Sequence, residues 1–339
     1  MSVYRIKKDD LSLFLEKLRE DFAVYAPVES DGITSFAELE PGQEPAFGIL
    51  KTQKPPKEVF YPQNEIMFRF NEEGMTPELY DGKPIALFGV RPCDAKGFNI
   101  IERVFIDPKY EDPYWSARRK GSLVFALACN EPLLSCFCNW FGGGPFDKTG
   151  SDVLVIDTGE DYLFEPTNEG AEKLLSNIGG FEKAEKADIE KAGKLRKKAE
   201  SSMGEPPKLD SVKETLDNSW NSPLWDRISA KCLGCAVCTF SCPTCYCFDI
   251  QDETRRDKGT RVRLWDTCQF PLFTKEGSGH NPRKSQTSRL RQRFMHKFSY
   301  MVETLNEFGC VGCGRCVTLC PVNLDVRDFL EKIAAEKDK

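Results

Sequence analysis

Histidine is nearly missing from this chain: of 339 residues only His280 and His296 are of that type. General acid–base chemistry through a histidine pair is therefore a poor expectation, and hydrogen-bonding roles suit these two better. No stretch approaches 18 uninterrupted apolar residues, and the start, Met1 to Leu18, has neither the apolar core nor the small-residue cleavage site of a signal peptide. The sequence thus predicts no membrane-spanning helix and no exported chain. Positive charge is not in excess either. Lys and Arg number 47 against 53 Asp and Glu, a net charge of -6, which argues against nucleic-acid binding by the chain as a whole. No G-x-G-x-x-G stands between a strand and a helix, so no dinucleotide site is read from the chain. Hydrophobic residues make up 40% and Phe alone counts 24, which is enough for a packed core and excludes a disordered or collagenous class. The length leaves room for two domains.

Cysteine, by contrast, is abundant: 15 residues, four of them before position 232 and eleven between Cys232 and Cys320. In the cytoplasm, where a chain with no export signal is expected to stay, thiols are reduced. Clustered cysteines there read as metal ligands or catalytic thiols rather than a disulfide framework, and an odd total leaves one unpaired in any case.

The chain is expected to be of mixed α+β class. Residues 1–170 read as an α/β domain with a central sheet. Leu11 to Phe22 has helical periodicity with Asp10 placed to cap it, and strands are expected at Glu65–Phe70, Ile85–Val90, Leu123–Ala128 and Val153–Ile156. The runs at 85–90 and 123–128 are apolar on both faces, as in a parallel or mixed sheet, and a helix is expected over Asp94–Phe105. Residues 171–214 read as a densely charged helix and a linker. Residues 215–339 form the cysteine-rich domain, expected to be a helical, two-cluster ferredoxin-like [4Fe–4S] unit.

That expectation rests on an internal repeat. Cys232-Leu-Gly-Cys235-Ala-Val-Cys238-Thr-Phe-Ser-Cys242-Pro243 matches Cys310-Val-Gly-Cys313-Gly-Arg-Cys316-Val-Thr-Leu-Cys320-Pro321, both C-x2-C-x2-C-x3-C-P. Two residues between thiolates let a tight loop wrap three corners of a cubane, and Gly234, Ala236, Gly312 and Gly314 let the backbone approach it. The fourth cysteine is expected at a helix start set by Pro243 or Pro321, aimed at the other cluster. The ligand sets are then Cys232, Cys235, Cys238 and Cys320 for one [4Fe–4S] centre, and Cys310, Cys313, Cys316 and Cys242 for the other. A pair of structural zinc sites, the bland alternative, needs no third cysteine and no trailing Cys-Pro.

Between the two copies lie Cys245, Cys247 and Cys268. They read either as buried thiols shielding the clusters or as ligands that replace a repeat cysteine or help hold an extra centre. Arg283, Lys284, Arg289, Arg291, Arg293 and Lys297 lie in the same insertion, with no acidic residue from 283 to 302. Such a helix can meet nucleic acid, an anionic cofactor or an acidic protein face; with an acidic chain, protein docking or screening of anionic clusters ranks first. Nearer the start, Cys93 follows the strand at 85–90, Cys129 follows the strand at 123–128, and Cys136-Phe-Cys138 comes soon after. Neighbouring strands would gather these four at the carboxyl edge of the sheet, where they suit a third Fe–S cluster, a zinc ion, or packing alone. Gly142-Gly-Gly-Pro145 can wrap such a site but lacks the residues of a phosphate loop.

Gly89-Val-Arg-Pro-Cys-Asp94, Cys136-Phe-Cys138, Cys242-Pro-Thr-Cys-Tyr-Cys-Phe-Asp249, Trp265-Asp-Thr-Cys268 and Gly279-His-Asn-Pro282, together with the repeat, resemble the beta subunit of cytoplasmic sulfhydrogenase-type nickel–iron hydrogenases. They are similar also to the iron–sulfur subunit of anaerobic sulfite reductase. The resemblance implies an iron–sulfur subunit of an anaerobic complex. It would pass electrons between a flavin- and [2Fe–2S]-bearing NAD(P)H-oxidoreductase subunit, which would hold FAD and NAD(P), and a separate catalytic subunit. The eight repeat cysteines carry over one for one as metal ligands. The alternative is that the N-terminal thiol site itself binds substrate or a flavin and makes the chain catalytic.

Overall fold

The computed structural model describes residues 1–336. Its strands, in chain order, begin with β1 (Tyr4–Lys7), β2 (Ala23–Ser30), β3 (Ile33–Glu38), β4 (Asn64–Asn71) and β5 (Gly74–Pro77). They continue with β6 (Ile85–Val90), β7 (Leu123–Leu127), β8 (Val153–Asp157) and β9 (Asp161–Pro166), and end with β10 (Glu182–Lys183), β11 (Phe248–Arg255) and β12 (Lys258–Trp265). The chain divides into two units, one of residues 1–61 and 79–204, the other of residues 62–78 and 205 onward.

The first unit is built on one mixed sheet ordered β10-β1-β9-β8-β7-β6-β2-β3. Its centre, β2, β6, β7 and β8, is parallel, and β9 turns back antiparallel onto β8. Every residue of β6 is buried, which is why that stretch reads as an unbroken apolar run and not as an alternation. On one face Phe88, Phe125 and Phe164 meet Phe14 from the helix Leu11–Asp21, with ring centroids 5.4–6.2 Å from it. Phe98, from the helix Pro92–Phe105, belongs to a second aromatic group with Phe60 and Trp115. Asp10 does not cap the helix it precedes. It is itself helical, the last residue of a 3-10 turn, and its side chain makes no capping bond. The charged region folds as two helices, Glu169–Ile178 and Lys186–Ser202, and Asn168 caps the first by accepting from Ala171 N.

The second unit contains a sheet as well as helices. Its order is β11-β12-β4-β5, so the hairpin β4–β5 pairs with strands that follow it by some 190 residues. The run at 65–70 is a strand, as its alternation predicts, but it belongs to this sheet and not to the central one. The reason is visible at one position: Glu65 lies opposite Arg263 in the ladder, both are buried, and their side chains form an ion pair. A buried carboxylate needs a charged partner, and only β12 supplies one. The helical part centres on Trp225, Phe294 and Phe329, with Phe294 and Phe329 rings 4.0 Å apart. Gln286–Met295 is helical, passes through a turn of π-helix at His296–Tyr300 and continues as Met301–Leu305. Among the described residues no helix is long and apolar enough to cross a membrane.

Candidate metal centres

The two copies of the repeat fold alike. Each opens on a loop whose second glycine-like position is left-handed: Gly234 and Ala236 have φ of 67° and 64°, Gly312 and Gly314 of 62° and 73°. The backbone N–H two residues after the first cysteine then turns onto its sulfur, 3.5 Å from Cys232 Sγ to Gly234 N and the same from Cys310 Sγ to Gly312 N. A one-turn helix carries the third cysteine, Val237–Phe240 in one copy and Arg315–Thr318 in the other. The fourth cysteine does not start a helix. In both copies it opens a β-turn with proline second: Cys245 N reaches Cys242 O, and Asn323 N reaches Cys320 O at 3.2 Å. Proline's fixed φ suits that turn position as well as it suits a helix start, so the sequence signal is right about proline and wrong about the element.

These turns send the fourth cysteine across. Cys232, Cys235 and Cys238 line one cavity together with Cys320 of the other copy. Cys242, in turn, sits within electrostatic reach of Cys310 and Cys316, which also act on Cys313 or are acted on by it. Burial pushes the Cys310 thiol up to about 12 and raises Cys238 and Cys316 as well, while Lys297 or Arg293 pulls each back. None of the 15 cysteines is in a disulfide.

Two buried cations face these thiols. Burial alone would lower the pKa of Arg293 and Lys297, but neighbouring cysteines, Cys242 and Cys245 for both, reverse the effect and hold the cations charged. Lys297 Nζ donates to Gly309 O at 2.6 Å and to Thr244 Oγ1 at 2.8 Å, which ties the π-helical turn to the loop just before Cys310. Arg289, Arg293 and Lys297 are buried at steps of four along the helix, so the basic stretch points much of its charge inward. Arg291 instead lies over the Trp220 ring, 4.0 Å from its centroid. Of the two histidines, His280 is exposed. Burial, then Lys297, push His296 down to about 4, so it is neutral and pairs with the Tyr246 hydroxyl at 3.2 Å.

Two glutamines that carry no signal in the sequence complete the surroundings. Gln286 Nε2 donates to Cys232 Sγ at 3.3 Å and Gln269 Nε2 to Cys268 Sγ at 3.5 Å. No local pattern announces them, because each reaches its sulfur only through the fold.

In the first unit, β6 and β7 are parallel neighbours, so Cys93 and Cys129 emerge from the same edge of the sheet. Arg91 fixes that edge: its guanidinium donates to the carbonyls of Ile49 at 3.0 Å and of Leu127 and Ala128 at 3.4 Å. Cys129, Cys136 and Cys138 act on one another electrostatically. Burial raises Cys129 to about 11, partly offset by Arg91, and raises Cys138 to about 12. Cys93 occupies the first turn of the helix Pro92–Phe105. Among the described residues, no three His, Cys, Asp or Glu side chains converge on a single-ion position, so the thiol arrangement does not favour one tetrahedral zinc.

Residues 231–324 match the family model described as a 4Fe-4S dicluster domain. Over 322 residues the chain is 30% identical to sulfhydrogenase 2 subunit beta of Pyrococcus furiosus, a match covering 94% of this chain and 95% of that protein. No solved structure matches significantly.

Proposed function

The chain belongs to the family of sulfhydrogenase beta subunits, and from that premise we propose that it is the electron-transfer subunit of a cytoplasmic, anaerobic redox complex. It passes electrons between a flavin- and [2Fe–2S]-bearing subunit that oxidises NAD(P)H, and holds FAD and NAD(P), and a separate catalytic subunit of hydrogenase or sulfite-reductase type. It is not catalytic alone. Cys232, Cys235, Cys238 and Cys320 hold one [4Fe–4S] cluster, and Cys310, Cys313, Cys316 and Cys242 the other. A bound [4Fe–4S] cluster takes up and releases one electron at a time.

The observation that carries this reading is the cavity that joins three cysteines of the first copy with the last cysteine of the second. The surroundings fit an anionic core. The N–H of Gly234 and of Gly312 and the Gln286 amide donate toward sulfur, and Arg293 and Lys297 place positive charge where thiolates would otherwise be buried uncompensated. The proposal extends to the first unit, where Cys93, Cys129, Cys136 and Cys138 are the ligand set of a third centre.

Iron, acid-labile sulfide and zinc per chain, on protein purified without oxygen, test the reading. The two repeat clusters require about 8 Fe, and a third centre in the first unit raises this to about 12. Cys235→Ala or Cys313→Ala should each remove a cluster and destabilise the second unit. Zinc without sulfide would overturn electron transfer altogether.

A further inference from the structure

The second unit contains three cysteines that the repeat does not use, and the fold gathers them. Phe248 and Trp265 are the outermost partners of the β11–β12 hairpin. Just beyond, Asp266 N donates to Cys247 O at 3.0 Å, so the ladder runs one step further and sets Cys247 beside the segment that ends in Cys268. The Thr267 hydroxyl meets that of Thr239 at 2.7 Å, which fastens this segment to the helix that carries Cys238. The thiols of Cys247 and Cys268 interact directly, and Cys245, two residues earlier, acts on Cys247. Three sulfurs from two chain segments thus share one place at the base of the hairpin.

What surrounds them is what surrounds the repeat cysteines. Arg293 Nη1 donates to Cys245 Sγ at 3.5 Å and Gln269 Nε2 to Cys268 Sγ at 3.5 Å. Gln269 is held for this by a second bond from its amide to Arg289 O at 2.9 Å. Its carbonyl accepts from Gln286 Nε2 at 3.4 Å, the same amide that donates to Cys232 Sγ. One paired-glutamine device therefore serves a cysteine of the repeat and a cysteine outside it alike. Donors aimed at sulfur stabilise thiolate and sulfide, whereas a buried neutral thiol kept for packing has no use for a guanidinium and an amide.

We propose that Cys245, Cys247 and Cys268 hold a further iron–sulfur cluster with three protein thiolates, leaving one iron to a non-cysteine ligand such as water or an external thiolate. The inference rests on the iron–sulfur reading of the repeat, next to which these thiols lie.

The test is made on the full chain, purified without oxygen. Cys247→Ala and Cys268→Ala should each lose about four iron and four sulfide relative to the wild type while the electron paramagnetic resonance signals of the two repeat clusters persist. Iron equal to wild type in both variants overturns the proposal, as does a Cys247–Cys268 disulfide found by peptide mapping of the wild type. Should the variants not fold, 57Fe Mössbauer spectra of the wild type decide instead. A three-thiolate cluster shows one iron distinct from its neighbours, and a spectrum with every iron in an all-sulfur environment overturns it. Iron-loaded wild type with unaffected variants removes only this inference; wild type without sulfide removes the repeat clusters as well.

Discussion

At the scale of single residues, the repeat shows which substitutions should alter electron transfer without abolishing it. Gly234 and Ala236 both occupy left-handed backbone, so strain alone is tolerated in this loop. What singles out Gly234 is Gln286: a Cβ there would stand 2.6 Å from its Oε1. Gly234→Ala should therefore cost about 1–2 kcal/mol for the backbone and also push the Gln286 amide off Cys232. An N–H dipole aimed at sulfur favours the more negative, reduced cluster, so its loss lowers the potential of the cluster on Cys232. A redox titration followed by electron paramagnetic resonance reads the shift; an unchanged potential would mean that Gln286 does not tune this centre. Lys297→Met removes a buried cation that faces Cys242 and Cys310. It should lower the potential of the other cluster and destabilise the fold by about 1.5–3 kcal/mol, the worth of hydrogen bonds to a charged group. The ligand cysteines themselves are legible in the sequence, because their chemistry depends on residue type at short, fixed spacing. Gln269, Gln286 and Lys297 are not, because a donor to sulfur is recognised only by what it touches.

At the scale of elements, the hairpin β4–β5 carries the argument. Its alternating pattern gives a strand from sequence alone, yet nothing local says which sheet the strand enters. Register across some 190 residues is set by the buried Glu65–Arg263 pair and by the strand order around it. Removing one partner leaves the other charge buried and alone, so Glu65→Ala should destabilise the second unit by about 3–5 kcal/mol. Replacing both residues by leucine should recover most of that loss, since a well-packed apolar pair at such a site is often neutral. Thermal unfolding of the two variants beside wild type checks both halves; a Glu65→Ala protein as stable as wild type would show that the pair does not fix the register. The parallel strands β6 and β7 are legible for the opposite reason, since burial on both faces writes itself into the run as uninterrupted apolar residues.

At the scale of the whole molecule, the two units should differ in what stabilises them. The first has a large aromatic core, with Phe14, Phe88, Phe125 and Phe164 among its buried rings, and needs no metal to close it. The second folds around loops whose positive φ angles and inward-facing cations make sense with bound clusters, so part of its folding free energy is metal-binding free energy. Removing iron with a chelator under reducing, anaerobic conditions should therefore open the second unit and spare the first. Limited proteolysis gives this a signature that a simple C-terminal domain would not produce. Residues 62–78 belong to the second unit although both flanking segments belong to the first. Chelation should thus expose two separate zones to cleavage, one after Glu205 and one within 62–78, while the fragments from 1–61 and 79–204 stay protected. Peptide mass mapping before and after chelation reads both zones at once. Cleavage confined to the region after Glu205 would mean that β4 and β5 keep their structure without β12, and that the shared sheet is not what orders them.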